Sequence, residues 1–127
     1  MIKILKNIFI LIIVTNSVIS YSNDKFKIEG TILHYNTNLA SDEIDQEITF
    51  EDVEKFREIL KKNPNLETVH ITSWGGLIDA SVDIADLIID YELNTHVKEI
   101  CFSACPIIFL GGDTRTLDRG SKIGFHR

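Results

Sequence analysis

Two apolar, strand-like runs in this chain each break off at a small-residue turn and give way to a helical pattern, and that alternation restricts the architectures open to it. The first run covers residues 66–72, with Val69 and Ile71 on one side, and stops at Ser73-Trp74-Gly75-Gly76. Residues 77–91 follow with helical spacing: Leu77, Ala80, Ile84, Leu87 and Ile88 align, while Asp79, Asp83, Asp86 and Asp90 fall on the other side. The second run, residues 94–100, stops at Cys101-Phe102-Ser103-Ala104-Cys105. The pattern predicts a buried helix over 103–110, ended by Gly111-Gly112, with Pro106 tolerated in its first turn, where an N–H is not needed.

Upstream, residues 25–35 alternate Phe26, Ile28, Gly30, Ile32 and His34 against Lys27, Glu29, Thr31 and Leu33, which predicts one strand, and the polar residues 36–45 predict a loop. Thr49 has the features of an N-cap: Glu51 and Asp52 lie in the first turn, and Phe50, Val53, Phe56 and Leu60 form a stripe behind them. Lys61 and Lys62 suit the helix C-terminus, and Asn63-Pro64 stops it. Short strands are expected at 114–117 and 122–126, separated by Asp118-Arg119-Gly120. Strand and helix repeating at steps of roughly thirty residues imply right-handed crossovers and an α/β fold with a largely parallel sheet.

A chain of 127 residues holds one domain, and 44% hydrophobic with 25% charged residues is ordinary for a globular protein. Residues 1–20 have the pattern of a signal peptide: Lys3 and Lys6 at a basic start, an apolar run over 8–14, then Thr15-Asn16-Ser17. Val18 and Ser20 stand at the −3 and −1 places before Tyr21. An uncleaved anchor and a buried helix are the other readings; the run falls short of the ~20 apolar residues that span a bilayer comfortably. The expectation is an exported protein, periplasmic or secreted, or one held to a membrane through residues 1–20, with a domain over 21–127. The net charge of −6 becomes more negative without Lys3 and Lys6, and no basic patch offsets it, which opposes nucleic-acid binding.

Cys101 and Cys105 straddle Ser103. An i to i+4 separation across a helical first turn places the Cα atoms about 6 Å apart, within disulfide reach. The two either bridge, stiffening the turn that carries the serine, or fill two small buried positions. No second Cys or His pair has zinc-ligand spacing, so neither a metal nor a cofactor is expected. His34, His70 and His96 lie in strand patterns and read as structural or exposed.

These turns carry the parts of a serine acyl-transfer site. A hydroxyl attacks a carbonyl only with a base to take its proton, and the resulting oxyanion needs donors aimed at it. Ser103 at a helix start is the candidate nucleophile, and the following amide, Ala104, a candidate donor. Gly75 and Gly76 let the backbone lie close to a substrate, and Gly76 supplies the second donor. His126 ends a strand-like segment beyond the serine and is the candidate base.

In this arrangement residues 26–127 resemble the ClpP/crotonase superfamily, in particular the exported Clp-protease-like proteins of bacteria. Ile71-Thr72-Ser73-Trp74-Gly75-Gly76 is similar to the family's strand ending in Ser-x-Gly-Gly, which forms the substrate-binding and oxyanion loop. Phe102-Ser103-Ala104 is similar to its nucleophile turn, and Ile123-Gly124-Phe125-His126 to the strand that brings its histidine, at a similar separation. The resemblance implies that Ser103 attacks, Ala104 and Gly76 donate, Gly75 lines the substrate strand and His126 is the base, with a peptide or protein as substrate. Family members carry an acidic or amide third residue beyond the histidine, together with further helices. The expectation is therefore a partial domain, incomplete at its C-terminus.

Three classes of function follow. One is an exported serine peptidase, with Lys122 or Lys98 as alternative bases. Another is a truncated, inactive product or binding module that assembles with similar chains, so a homo-oligomer is open. The third is a crotonase-like acyl-thioester enzyme, which fits badly with an export leader.

Overall fold

The computed structural model describes residues 25–126; the proposed leader at 1–20 lies outside them. Among the described residues no helix is long and apolar enough to cross a membrane.

The chain enters through a hairpin. Strand β1 (Phe26–Glu29) turns at Gly30, whose φ is +61°, and returns antiparallel as β2 (Ile32–Asn36). The single strand expected over 25–35 is thus two. The two-residue turn reverses the sidedness, so Leu33 and Tyr35 join Phe26 in the core where the alternation had grouped Ile32 and His34 with it. Two short 3-10 turns, Thr37–Leu39 and Glu43–Asp45, occupy the expected loop.

Helix α1 (Phe50–Lys62) begins where expected. The Thr49 hydroxyl accepts from the Asp52 N–H, and the Asp52 carboxylate accepts from the Thr49 N–H, closing a capping box. Asp52, placed in the first turn by the sequence, is also buried. Its carboxylate also accepts from Lys25 Nζ at 3.0 and 3.2 Å and from the Tyr35 hydroxyl at 2.7 Å. Burial first, and the neighbouring carboxylate second, push the Tyr35 phenol well above its ordinary pKa. Phe26, Tyr35 and Phe56 pack as an aromatic cluster beside this network, with ring centres 4.9 to 5.2 Å apart.

Four parallel strands extend the sheet. β3 (Thr68–Ser73) leads into α2 (Ile78–Asp90), and β4 (Asn94–Phe102) into the short α3 (Cys105–Leu110). β5 (Arg115–Leu117) and β6 (Lys122–Gly124) then both pair with β4. The order is β1-β2-β3-β4-β5, with β6 beside the second half of β4, and every pairing except β1 with β2 is parallel. Leu33, Tyr35, Val69, Ile71 and Val97 alternate into one face, which Val53, Phe56, Leu60, Ala80, Ile84 and Ile88 of α1 and α2 cover. His34, His70 and His96 point to the opposite face.

β4 carries a bulge. Val97 pairs with Ile71, but the next partner, Ser73, faces Cys101, so β4 uses four steps where β3 uses two. Before the bulge, Thr95 to Val97 pair with β5; after it, Ile100 to Phe102 pair with β6. The bulge carries the strand past residue 100, where the apolar pattern stops, and delivers its C-terminal end to the next turn.

Candidate active site

Ser103 does not open a helix, as the sequence suggested. It sits between β4 and α3 with φ at +61°, and helical geometry begins only at Cys105, after Ala104. A non-glycine residue in the left-handed region is uncommon and signals a turn held by its surroundings. Two restraints hold this one. The Ser103 N–H donates to the Gly124 carbonyl of β6 at 2.9 Å, and Cys101 and Cys105, both buried, are joined by a disulfide across a Cα separation of 5.2 Å.

The Ser73-Trp74-Gly75-Gly76 turn packs against that serine. A Cβ on Gly75, whose φ is +115°, would lie 2.6 Å from Ser103 Cβ and 3.1 Å from its Oγ, so only glycine permits this approach. The Gly75 carbonyl accepts from the Ile48 N–H, and the Leu77 N–H donates to the Ile48 carbonyl, each at 2.9 Å. This clamp leaves the Gly76 N–H without a hydrogen-bond acceptor among the described residues, as the Ala104 N–H also is.

His126 follows β6. Ser103, Ala104 and His126 line one cavity of about 240 Å³, together with Ile78, Ile107 and Phe125. The hydroxyl and the imidazole are not hydrogen-bonded to each other in this conformation. Gly76 lines an adjoining cavity with Phe50, Leu77, Ile78 and Asp79, so the two cavities share Ile78. The alternative bases Lys98 and Lys122 line neither.

Several contributors had no individual role assigned from the sequence. The buried Ser73 hydroxyl accepts from the Gly75 N–H at 3.0 Å and from the Thr37 hydroxyl at 2.8 Å, holding the glycine turn from below. Thr37 has no sequence signal that predicts this; it arrives through the hairpin. Trp74, 62% exposed, stacks on Phe102 with ring centres 5.2 Å apart and planes 12° from parallel, forming an aromatic shelf next to Ser103. A Cβ on Gly124 would strike the Phe102 ring, so that glycine lets β6 close over it.

No protein family model matches the chain, and no curated protein matches it. Among solved structures it is similar to a mutant of ClpP1 from Listeria monocytogenes, with a TM-score of 0.52 and 24% identity, over 61% of this chain and 50% of that one. The chain thus spans half the length of the solved relative it matches. The class defined by this likeness and by the topology is a ClpP-like α/β fold with a mostly parallel sheet.

Proposed function

We propose that this chain is an exported, ClpP-like serine hydrolase that acts on peptides. Ser103 attacks the scissile carbonyl, and His126 takes the hydroxyl proton and returns it to the leaving amine. The Gly76 and Ala104 N–H groups receive the oxyanion, and Gly75 lines the bound strand. The observation that carries this reading is the meeting of Ser103, Ala104 and His126, brought by two separate strand ends, in one largely apolar cavity. The missing Ser–His hydrogen bond is compatible with it, because such bonds often tighten only when substrate is bound. Export is supported by the leader pattern and by the bridged cysteines, which suit an oxidising compartment. Self-association belongs to the same reading and is supported by the exposed apolar side chains around the site, Trp74, Ile78 and Phe125.

A second reading, an inactive binding module, is favoured by one observation: the His126 ring has no hydrogen-bonded partner among the described residues to fix its tautomer. A fluorophosphonate probe on the full chain separates the two. The hydrolase reading expects covalent labelling that Ser103→Ala abolishes. Equal labelling of both forms, or none of either, rejects it.

A further inference from the structure

The polar face of the sheet carries a row of imidazoles that the serine chemistry does not use. His34 of β2 pairs in register with His70 of β3, and His70 with His96 of β4. Their spacing along the chain hides this, because each stands on a different strand. The ring centres of His34 and His70 are 5.0 Å apart, and those of His70 and His96 4.7 Å. Two imidazoles bound at about 2.0–2.1 Å to one tetrahedral ion hold their ring centres roughly 5 Å apart. His96 is committed elsewhere, its Nδ1 to the Thr116 hydroxyl at 2.7 Å and its Nε2 to Asp118 at 3.0 Å. In contrast, His34 Nε2 and His70 Nδ1 are buried and have no hydrogen-bond partner.

We infer that His34 and His70 form a binding site for a borderline divalent transition ion such as Zn²⁺ or Co²⁺, with Glu29 as the third protein ligand. Glu29 Oε2 lies 4.0 Å from His34 Nε2 and 3.6 Å from Lys27 Nζ on an exposed side chain, and turning it inward, away from Lys27, completes a His₂–carboxylate set. As they stand, no three His, Cys, Asp or Glu side chains among the described residues converge on one point, so binding requires that rotation. A cavity of about 240 Å³, lined by Glu29, His34, His70, Thr72, Lys98 and Glu99 among others, leaves room for waters on the remaining positions. Of the charged side chains lining this cavity, Lys25, Lys27 and Lys98 oppose a cation, while Glu29 and Glu99 favour it.

The test is titration of the full chain with Co²⁺ alone, read by its visible absorption, and with Zn²⁺ in competition. One saturable equivalent is expected, and His70→Gln should weaken it by more than roughly 10–100-fold, the range already reached when only an outer-shell partner is lost. His126→Gln should leave it intact. If His70→Gln fails to fold, protection of the wild-type chain from diethyl pyrocarbonate decides: Zn²⁺ should shield His34 and His70. Absence of saturable binding, binding untouched by His70→Gln, binding lost in His126→Gln, or full modification of His34 and His70 under saturating Zn²⁺ would each overturn the assignment.

Discussion

Replacing Gly75 with alanine tests the packing that brings the glycine turn to the serine. Two separate costs arise. The backbone at φ +115° is a region that L-residues rarely enter, worth about 1–3 kcal/mol. The added methyl would also lie 2.6 Å from Ser103 Cβ and 3.0 Å from the Phe102 carbonyl, against an ordinary carbon–carbon separation of about 3.5–4.0 Å. Relieving that overlap moves Ser103 by about 1 Å, a misplacement that can cost about 10²-fold in rate. Gly30→Ala is the control: its φ is +61°, and nothing lies within 4 Å of the new methyl, so it bears a backbone cost without a collision. The assay pairs urea denaturation with the rate of fluorophosphonate labelling. Gly75→Ala should lose about 2–4 kcal/mol, a midpoint shift of about 1–2 M urea. It should also label about 10²-fold more slowly, while Gly30→Ala labels at the wild-type rate. Equal stability of the two variants together with wild-type labelling of Gly75→Ala would refute the reasoning. The denaturation arm stands even if the wild-type chain does not label.

Asp52→Ala removes the acceptor of the Tyr35 hydroxyl, both carboxylate contacts to Lys25 and half of the capping box; a loss of about 3–5 kcal/mol is expected in urea melts, whereas Asp83→Ala on the exposed side of α2 should change stability by less than about 0.5 kcal/mol. Changing both Cys101 and Cys105 to serine opens a short loop and should cost about 2 kcal/mol by chain entropy, with labelling of Ser103 slowed further because its turn is no longer tethered. In chelator-treated buffer, His70 stays neutral in the folded chain down to about pH 4 but takes a proton near 6.5 when unfolded. The unfolded state therefore binds more protons across that window. Stability contributed at this position is complete above about pH 6.5 and falls as the pH drops toward 4, and His70→Gln should flatten that part of a stability profile measured by urea midpoints.

The strand–helix alternation was legible because each element announces its ends chemically. Thr49 with Glu51 and Asp52 starts α1, Asn63-Pro64 stops it, and the aspartates of α2 mark its solvent side. The hairpin was not legible, since a two-residue turn at Gly30-Thr31 keeps the period of two unbroken and only reverses its phase. Nor was the bulge in β4, which is a property of pairing with β3 and leaves no local mark beyond the polar residues 98–99. At the candidate site, the residue types at the two turns suggested Gly75, Gly76, Ser103 and Ala104 as candidates, and the end of the last strand-like segment suggested His126. The conformation of Ser103 lay beyond that reading: proximity of a serine to an apolar run suggests a helix start, while tethers to β6 and across the cysteines impose the left-handed turn. The burial of Asp52 left no local mark, because its partners, Lys25 and Tyr35, arrive from a distant part of the chain.

The change of partner along β4 makes the sheet two short ladders that share one rail. Because β5 and β6 grip separate stretches of it, the connection between them, residues 118–121, can vary in length while Phe125 and His126 keep their place. Residues 98–99 have no such freedom. Removing one of them would shift the register of everything beyond by a single step and turn the Cys101 and Ser103 side chains to the wrong side of the strand. A segment that cannot lose a residue without disturbing the site is therefore one that touches neither the hydroxyl nor the imidazole.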